Sequence, residues 1–471
     1  MESGAPARHA LPETCRLGEL GRMTNMRPSQ TPILAVCLTA ALAIGPGVEA
    51  DEGLAVAPLA ATARRAGLRL LESDHLVLAT DRPVRAGDGV DDLPRIFDEA
   101  FVCWCGHYGI NPATVRDWRA FGCLVVDRDR FRTAGLLPPT IPHFAHGFCD
   151  RNRFWLVDQS NPDYRRHLLL HEGAHAFTLT IRGLNTPEWY TEGIAEFLAT
   201  HRLERDAAGV ERFFHAPLPA RAGDVEQLGR IEELRKSRAA GTPPRLAAVL
   251  AAPPGNHHAI AAYASSWAAV VLFSQHPAFA RPFTAAERGP LDADFNARLA
   301  ALPGWDMDRA AREYDAFVAD VDYGYDVARM EVDWSPGRPL VAPTRLTVDA
   351  GRGWQNTGLT LERGGRCRVT AQGRVRLGEV RDPTTKTMTP IESEADGITL
   401  RWYRGRPVGR LLAAQWEEPQ GKPPGFVILG AGSAVDITAA ASGPLYLQVN
   451  EPPGDRTDTT GSFTVEIRSA P

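Results

Sequence analysis

Long apolar runs are almost missing from this 471-residue sequence. The one candidate, residues 32–44, is short for a membrane span and is followed by Gly45-Pro46-Gly47 and Val48-Glu49-Ala50. A small residue at 50, with an apolar one two before it, fits signal-peptidase cleavage after Ala50. The leader then covers about 26–50, with translation starting at Met23 or Met26 and Arg27 as a weak basic region. A secreted or periplasmic protein with no membrane span after leader removal is expected. Runs of Lys or Arg are missing too, and a formal charge of −5 gives no reason to expect a nucleic-acid partner. No internal repeat and no long low-complexity tract is present. Cysteine is scarce, with seven in the chain and five beyond the leader: Cys103, Cys105, Cys123, Cys149 and Cys367. In an oxidising compartment the first four could form two disulfides. A zinc site at Cys103-Trp104-Cys105 is the weaker reading, because one intervening residue is shorter than the usual spacing. Buried free thiols are the third.

What is present is the composition of a globular protein, 44% hydrophobic and 23% charged, long enough for two or three domains. Residues 51–181 read as mixed α/β. Short apolar runs at 76–79, 123–126 and 154–157 predict strands, and Leu93, Ile96, Phe97, Ala100 and Phe101 predict a helix within 91–108. Asn161-Pro162-Asp163 supplies a cap, a first-turn proline and a first-turn acid for a buried helix running to about Ile181, with Gly183 as its stop. Gly173 inside it costs about 1 kcal/mol relative to Ala, as a mark of close backbone approach or as a tolerated weak residue. Thr186-Pro187-Glu188 starts a second helix. Residues 186–333 read as a mostly helical lobe, 334–343 as a proline-rich linker, and 344–471 as short β-branched runs between glycine turns, the pattern of an all-β sandwich.

The chemistry concentrates at His171-Glu172-Gly173-Ala174-His175. On a helix the two histidines face the same way one turn apart, so both imidazoles can bind one metal ion. Glu172 stands beside that face, where a carboxylate could take a proton from a metal-bound water. The next helix carries Glu192 and Glu196, also one turn apart. A carboxylate from this helix, Glu192 or Glu196, would complete three ligands and leave one position open, with His201 as a further candidate. The set reads as a zinc hydrolase.

Residues 165–177 and 187–197 resemble the gluzincin metallopeptidases, in particular the peptidase MA-like group, over roughly 70–330. The resemblance implies an α+β zincin-like domain with a mostly helical C-terminal lobe and one zinc held by His171, His175 and Glu192. It implies Glu172 as general base and Glu196 as the acid that fixes a ligand imidazole. Tyr263 is similar to the tyrosine that stabilises the oxyanion in related aminopeptidases, without the Lys-Gly that usually follows it; His257 and His258 are alternatives. The exopeptidase segment Gly-x-Met-Glu-Asn is missing, which favours an endopeptidase acting on peptide or protein substrates. Residues 353–359, 368–373 and 442–451 resemble galactose-binding bacterial lectins. That resemblance extends to a calcium and sugar loop at 450–465, in which Glu451, Asp455 and Asp458 could hold Ca2+. The alternative function is a carbohydrate-binding surface protein whose peptidase-like domain is inactive.

Overall fold

The computed structural model describes residues 55–470 except 86, 225–228 and 254–259. The expected leader and its cleavage near Ala50 lie outside these residues, as do His257 and His258.

Three runs without charged interruption, β2 (Leu76–Thr80), β3 (Ala120–Val125) and β5 (Arg153–Val157), pair in parallel. Every residue of β2 and β3 is buried, as expected of strands covered on both faces. Antiparallel edges complete the sheet, β1 (Arg69–Glu72) beside β2 and β4 (Gly147–Asp150) beside β5, in the order β1-β2-β3-β5-β4. One face packs against α2 (Leu93–Tyr108) and α4 (Pro162–Ile181), the other against α1 (Val56–Arg65) and α3 (Arg128–Thr133). The sequence pattern missed β1 and β4, which are four residues long and only partly buried, so they lack an apolar run.

Helix α4 begins where the capping signal placed it. Asn161 accepts from the Tyr164 amide at 2.8 Å, and Gly183 beyond the end takes φ 62°. Gly173 marks close approach: a Cβ there would overlap the Phe97 ring and lie 2.9 Å from Trp104 Cη2. Helix propensity favours alanine by about 1 kcal/mol, and overpacking a core opposes it by about 1–3 kcal/mol. Gly173→Ala is therefore expected to lower the unfolding free energy by up to about 2 kcal/mol in denaturant titration. Equal or higher stability would show that α2 yields to the methyl group.

The second motif helix is α5 (Glu188–Ala199). It is followed by a hairpin, β6 (His201–Arg205) and β7 (Glu211–His215), inside the lobe expected to be helical. The turn explains the hairpin: Asp206 accepts from the Ala208 and Val210 amides, and Gly209 takes φ 80°. The lobe continues through α6 (Arg230–Ala239), α7 (Leu246–Leu250), α8 (Ile260–Gln275), α9 (Ala280–Arg288), α10 (Phe295–Ala301) and α11 (Met307–Asp320).

From residue 338 the structure is β-rich. One sheet holds, in spatial order, Gly425–Ala431, Leu411–Glu417, Gly443–Val449, Gln355–Leu361 and Arg338–Pro339. A second contains Arg366–Gln372, Val375–Arg381 and the long strand Thr460–Ser469. Leu359, Leu445 and Leu447 of the first share a buried core with Val369, Phe463 and Val465 of the second. The fold class is thus mixed α+β. Among the described residues no helix is long and apolar enough to cross a membrane.

The expected linker is a docked segment. Trp334 packs at 5.0 Å from Trp416, and its indole donates to Glu313 of α11 at 2.9 Å. The two disulfides are not formed: all five described cysteines are free. Cys105 lies in the core on one face of the sheet and Cys123 in the core on the other, so the sheet separates them.

Candidate metal centre

Three buried side chains converge from α4 and α5. His171 Nε2 lies 3.1 Å from His175 Nε2 and 3.5 Å from Glu192 Oε2, and His175 Nε2 lies 3.3 Å from the same oxygen. Tetrahedral ligands at about 2.0–2.1 Å from a metal ion are separated by about 3.3 Å, so the edges of this triangle suit a tetrahedrally held ion. Glu192 Oε2 is buried without a hydrogen-bond donor. Charge points the same way: Glu172, Glu192 and Glu196 are buried as three carboxylates beside the guanidinium of Arg230, a net charge of −2 when all are ionised and the imidazoles are neutral, as metal ligands must be. A divalent cation would close that difference. The residues therefore fit a metal ion.

The surroundings shift these groups strongly. Burial alone would push His171 down, but the carboxylates of Glu192 and Glu196 outweigh it and hold it up to about 10. Burial would raise Glu192, but the two imidazoles hold it well below the usual carboxylate range. Glu172 is raised by burial. Its carboxylate lies against the backbone of β4 at Gly147, where a Cβ would occupy the space of Oε1.

The alternatives for third ligand are engaged elsewhere. Glu196 meets His171 through Nδ1, at 3.1 Å, on the side of the ring away from the triangle. His201 Nε2 accepts from Arg166 Nε at 2.7 Å, and its Nδ1 faces the Ala199 carbonyl. Tyr263, on α8, has its ring centre 6.1 Å from that of His171. Gly193 allows this approach, since a Cβ there would stand 2.5 Å from the Ser266 carbonyl oxygen and force α5 and α8 apart.

Three contributors escaped the sequence reading. His167 lies one turn before His171 on α4, a repeat of the same spacing that could have been noticed, and its Nε2 is 3.3 Å from Glu196 Oε2. Arg230 arrives from α6, and Gly147 from an edge strand. Neither carries a sequence signal.

In the β-rich region the three carboxylates of the expected calcium loop have these neighbours. Thr459 donates to Glu451 Oε2 at 2.8 Å, and Asp455 pairs with Arg401 at 2.7 Å. Asp458 packs beside Gly378. The cation buried in this loop is Arg456, which donates to the carbonyls of Ala350, Arg352 and Val449. Gly454 abuts Tyr323 and Gly324 at the end of the helical lobe. Among the described residues, the groups of a size to hold a metal ion are the two around α4, and these three carboxylates form none.

No protein-family model and no curated protein matches this chain. A solved structure described as "EclA N-terminal domain; PllA-like lectin" is similar at 23% identity over 27% of this chain and 95% of its own, with a TM-score of 0.17. A superposition of that quality defines neither fold nor ligand here. What the structure itself defines is a mixed α+β protein with a buried His/Glu group able to hold a metal ion.

Proposed function

We propose that this chain is an exported zinc peptidase of the gluzincin type, acting as an endopeptidase on peptide or protein substrates. The observation that carries this reading is the triangle of His171, His175 and Glu192, whose spacing and N,N,O donor set suit zinc with one position open. His171, His175 and Glu192 would hold the zinc, which would supply Lewis-acid chemistry there. Glu172 is the group that accepts the proton of the attacking water and delivers it to the leaving amine. Tyr263 is the donor to the developing oxyanion. β4 ends its sheet, so its outer edge can pair with a substrate in extended form directly beside Glu172. The zincin-like reading of residues 51–333 rests on a mixed sheet, three parallel strands between two antiparallel edges, backed by the motif helix. The β-rich region braces the helical lobe in this reading, and carbohydrate binding by it is an independent outcome to be scored.

The test is zinc content by mass spectrometry on residues 51–471 and on the Glu192→Ala variant. About one zinc per wild-type chain is expected, and its loss in the variant. A folded wild-type protein that takes up no zinc after reconstitution would end the peptidase reading. Galactoside binding by that metal-free protein would move the assignment to a carbohydrate-binding protein.

A further inference from the structure

Glu196 is held from two sides. Arg230 donates to it as a fork, Nε to Oε2 at 2.9 Å and Nη2 to Oε1 at 2.5 Å. On the opposite side His171 Nδ1 lies 3.1 Å from Oε1 and His167 Nε2 lies 3.3 Å from Oε2. The group His167, His171 and Glu196 is itself of a size to hold an ion. It shares His171 with the first group, however, and the guanidinium already places a positive charge on its carboxylate. A second cation there would be repelled by Arg230, so the fork marks this group as support for the first.

We propose that Arg230 is a positioning residue for the metal centre, acting through Glu196 on His171. The proposal rests on the zinc reading above. With His171 Nε2 turned to a cation, Nδ1 carries the ring proton and Glu196 Oε1 is its acceptor. A carboxylate held by one donor can still rotate, whereas a bidentate guanidinium fixes its plane and both oxygens. Fixing Glu196 also steadies the turn of α5 that carries Glu192. The backbone is arranged for this contact: Gly229 takes φ 63°, which directs Arg230 inward as the first residue of α6. The guanidinium carbon then lies 5.4 Å from the centre of the Tyr263 ring.

Two effects of removing Arg230 oppose one another. Loss of a positive charge would tighten cation binding, and loss of the ordered acceptor would weaken it. The second is expected to win, because removing a partner that orients a ligand histidine costs about 10–100-fold in metal affinity.

The experiment is a zinc affinity measurement on the full chain by competition with a chelating dye, for wild type, Arg230→Met, Glu196→Gln and the double variant. Each single variant is expected to bind zinc about 10–100-fold more weakly. The double variant should be within about twofold of the weaker single, since both residues act through one contact. Unchanged or tighter binding by Arg230→Met overturns the proposal, and so do single effects that multiply in the double variant. Arg230→Lys keeps the charge without the fork and serves if Arg230→Met does not fold. Intermediate affinity supports the proposal, and wild-type affinity in the lysine variant overturns it. A wild-type protein without zinc would overturn the metal-centre reading and this proposal together, a result distinct from all the others.

Discussion

Glutamine at position 172 is expected to leave zinc content at the wild-type level while hydrolysis of an unstructured protein substrate falls by about 10²–10⁴-fold. The two halves of this expectation have separate origins. Glu172 belongs to neither group of side chains able to hold an ion, so the metal ligands are untouched. Its carboxylate sits against Gly147 on the edge strand, at the place where an extended substrate would pass. Glutamine has nearly the same shape and cannot accept the proton of the attacking water. Zinc analysis and a turnover assay on the same preparation check both halves. A variant that retains its zinc and full activity would remove Glu172 from the mechanism, and loss of zinc would give it a structural role instead.

Glu451→Gln is expected to make the protein more stable at pH 8 by about 3 kcal/mol, with the gain disappearing below about pH 4. Glu451 is buried and has one carboxylate oxygen without a donor, and burial pushes its carboxyl from the ordinary 4.5 up to about 7. Below 4.5 the group is protonated in both the folded and unfolded chains and contributes no difference. Between 4.5 and 7 the unfolded chain releases its proton first, so stability falls as pH rises. Above 7 the buried charge carries its full cost, about 3 kcal/mol at about 1.4 kcal/mol per pH unit. Glutamine removes the charge while its amide oxygen can keep the Thr459 hydrogen bond. Denaturant titrations of both proteins from pH 4 to 8 decide the matter. A gap that does not change with pH would mean that Glu451 is not the titrating group.

The elements most legible in the sequence were those with local signals. Helix α4 announced itself through Asn161, Pro162 and Gly183, and the buried strands β2, β3 and β5 through their apolar runs. The hairpin β6–β7 was missed because its strands are largely exposed and charged, and only its Asp206 and Gly209 turn carries information. The carboxylates at 451, 455 and 458 read as a cation loop because oxygen-rich side chains cluster there. Arg401, more than fifty residues away, pairs with Asp455, and Arg456 donates to carbonyls from within the loop, partners that the local sequence does not announce. Cys105 and Cys123, close in sequence, pack in cores on opposite faces of the sheet.

The sequence by itself determined that His171 and His175 share a helical face and that Glu192 and Glu196 share another, since a spacing of four is one turn wherever the helix lies. Only the tertiary structure decided which carboxylate turns toward which ring nitrogen. That choice depends on Gly193 letting α5 approach α8, on Gly147 leaving room for Glu172, and on Arg230 claiming both oxygens of Glu196. Periodicity along one helix is a local property of the backbone. The meeting of side chains from β4, α4, α5 and α6 depends on how separate elements pack, and no local pattern encodes it.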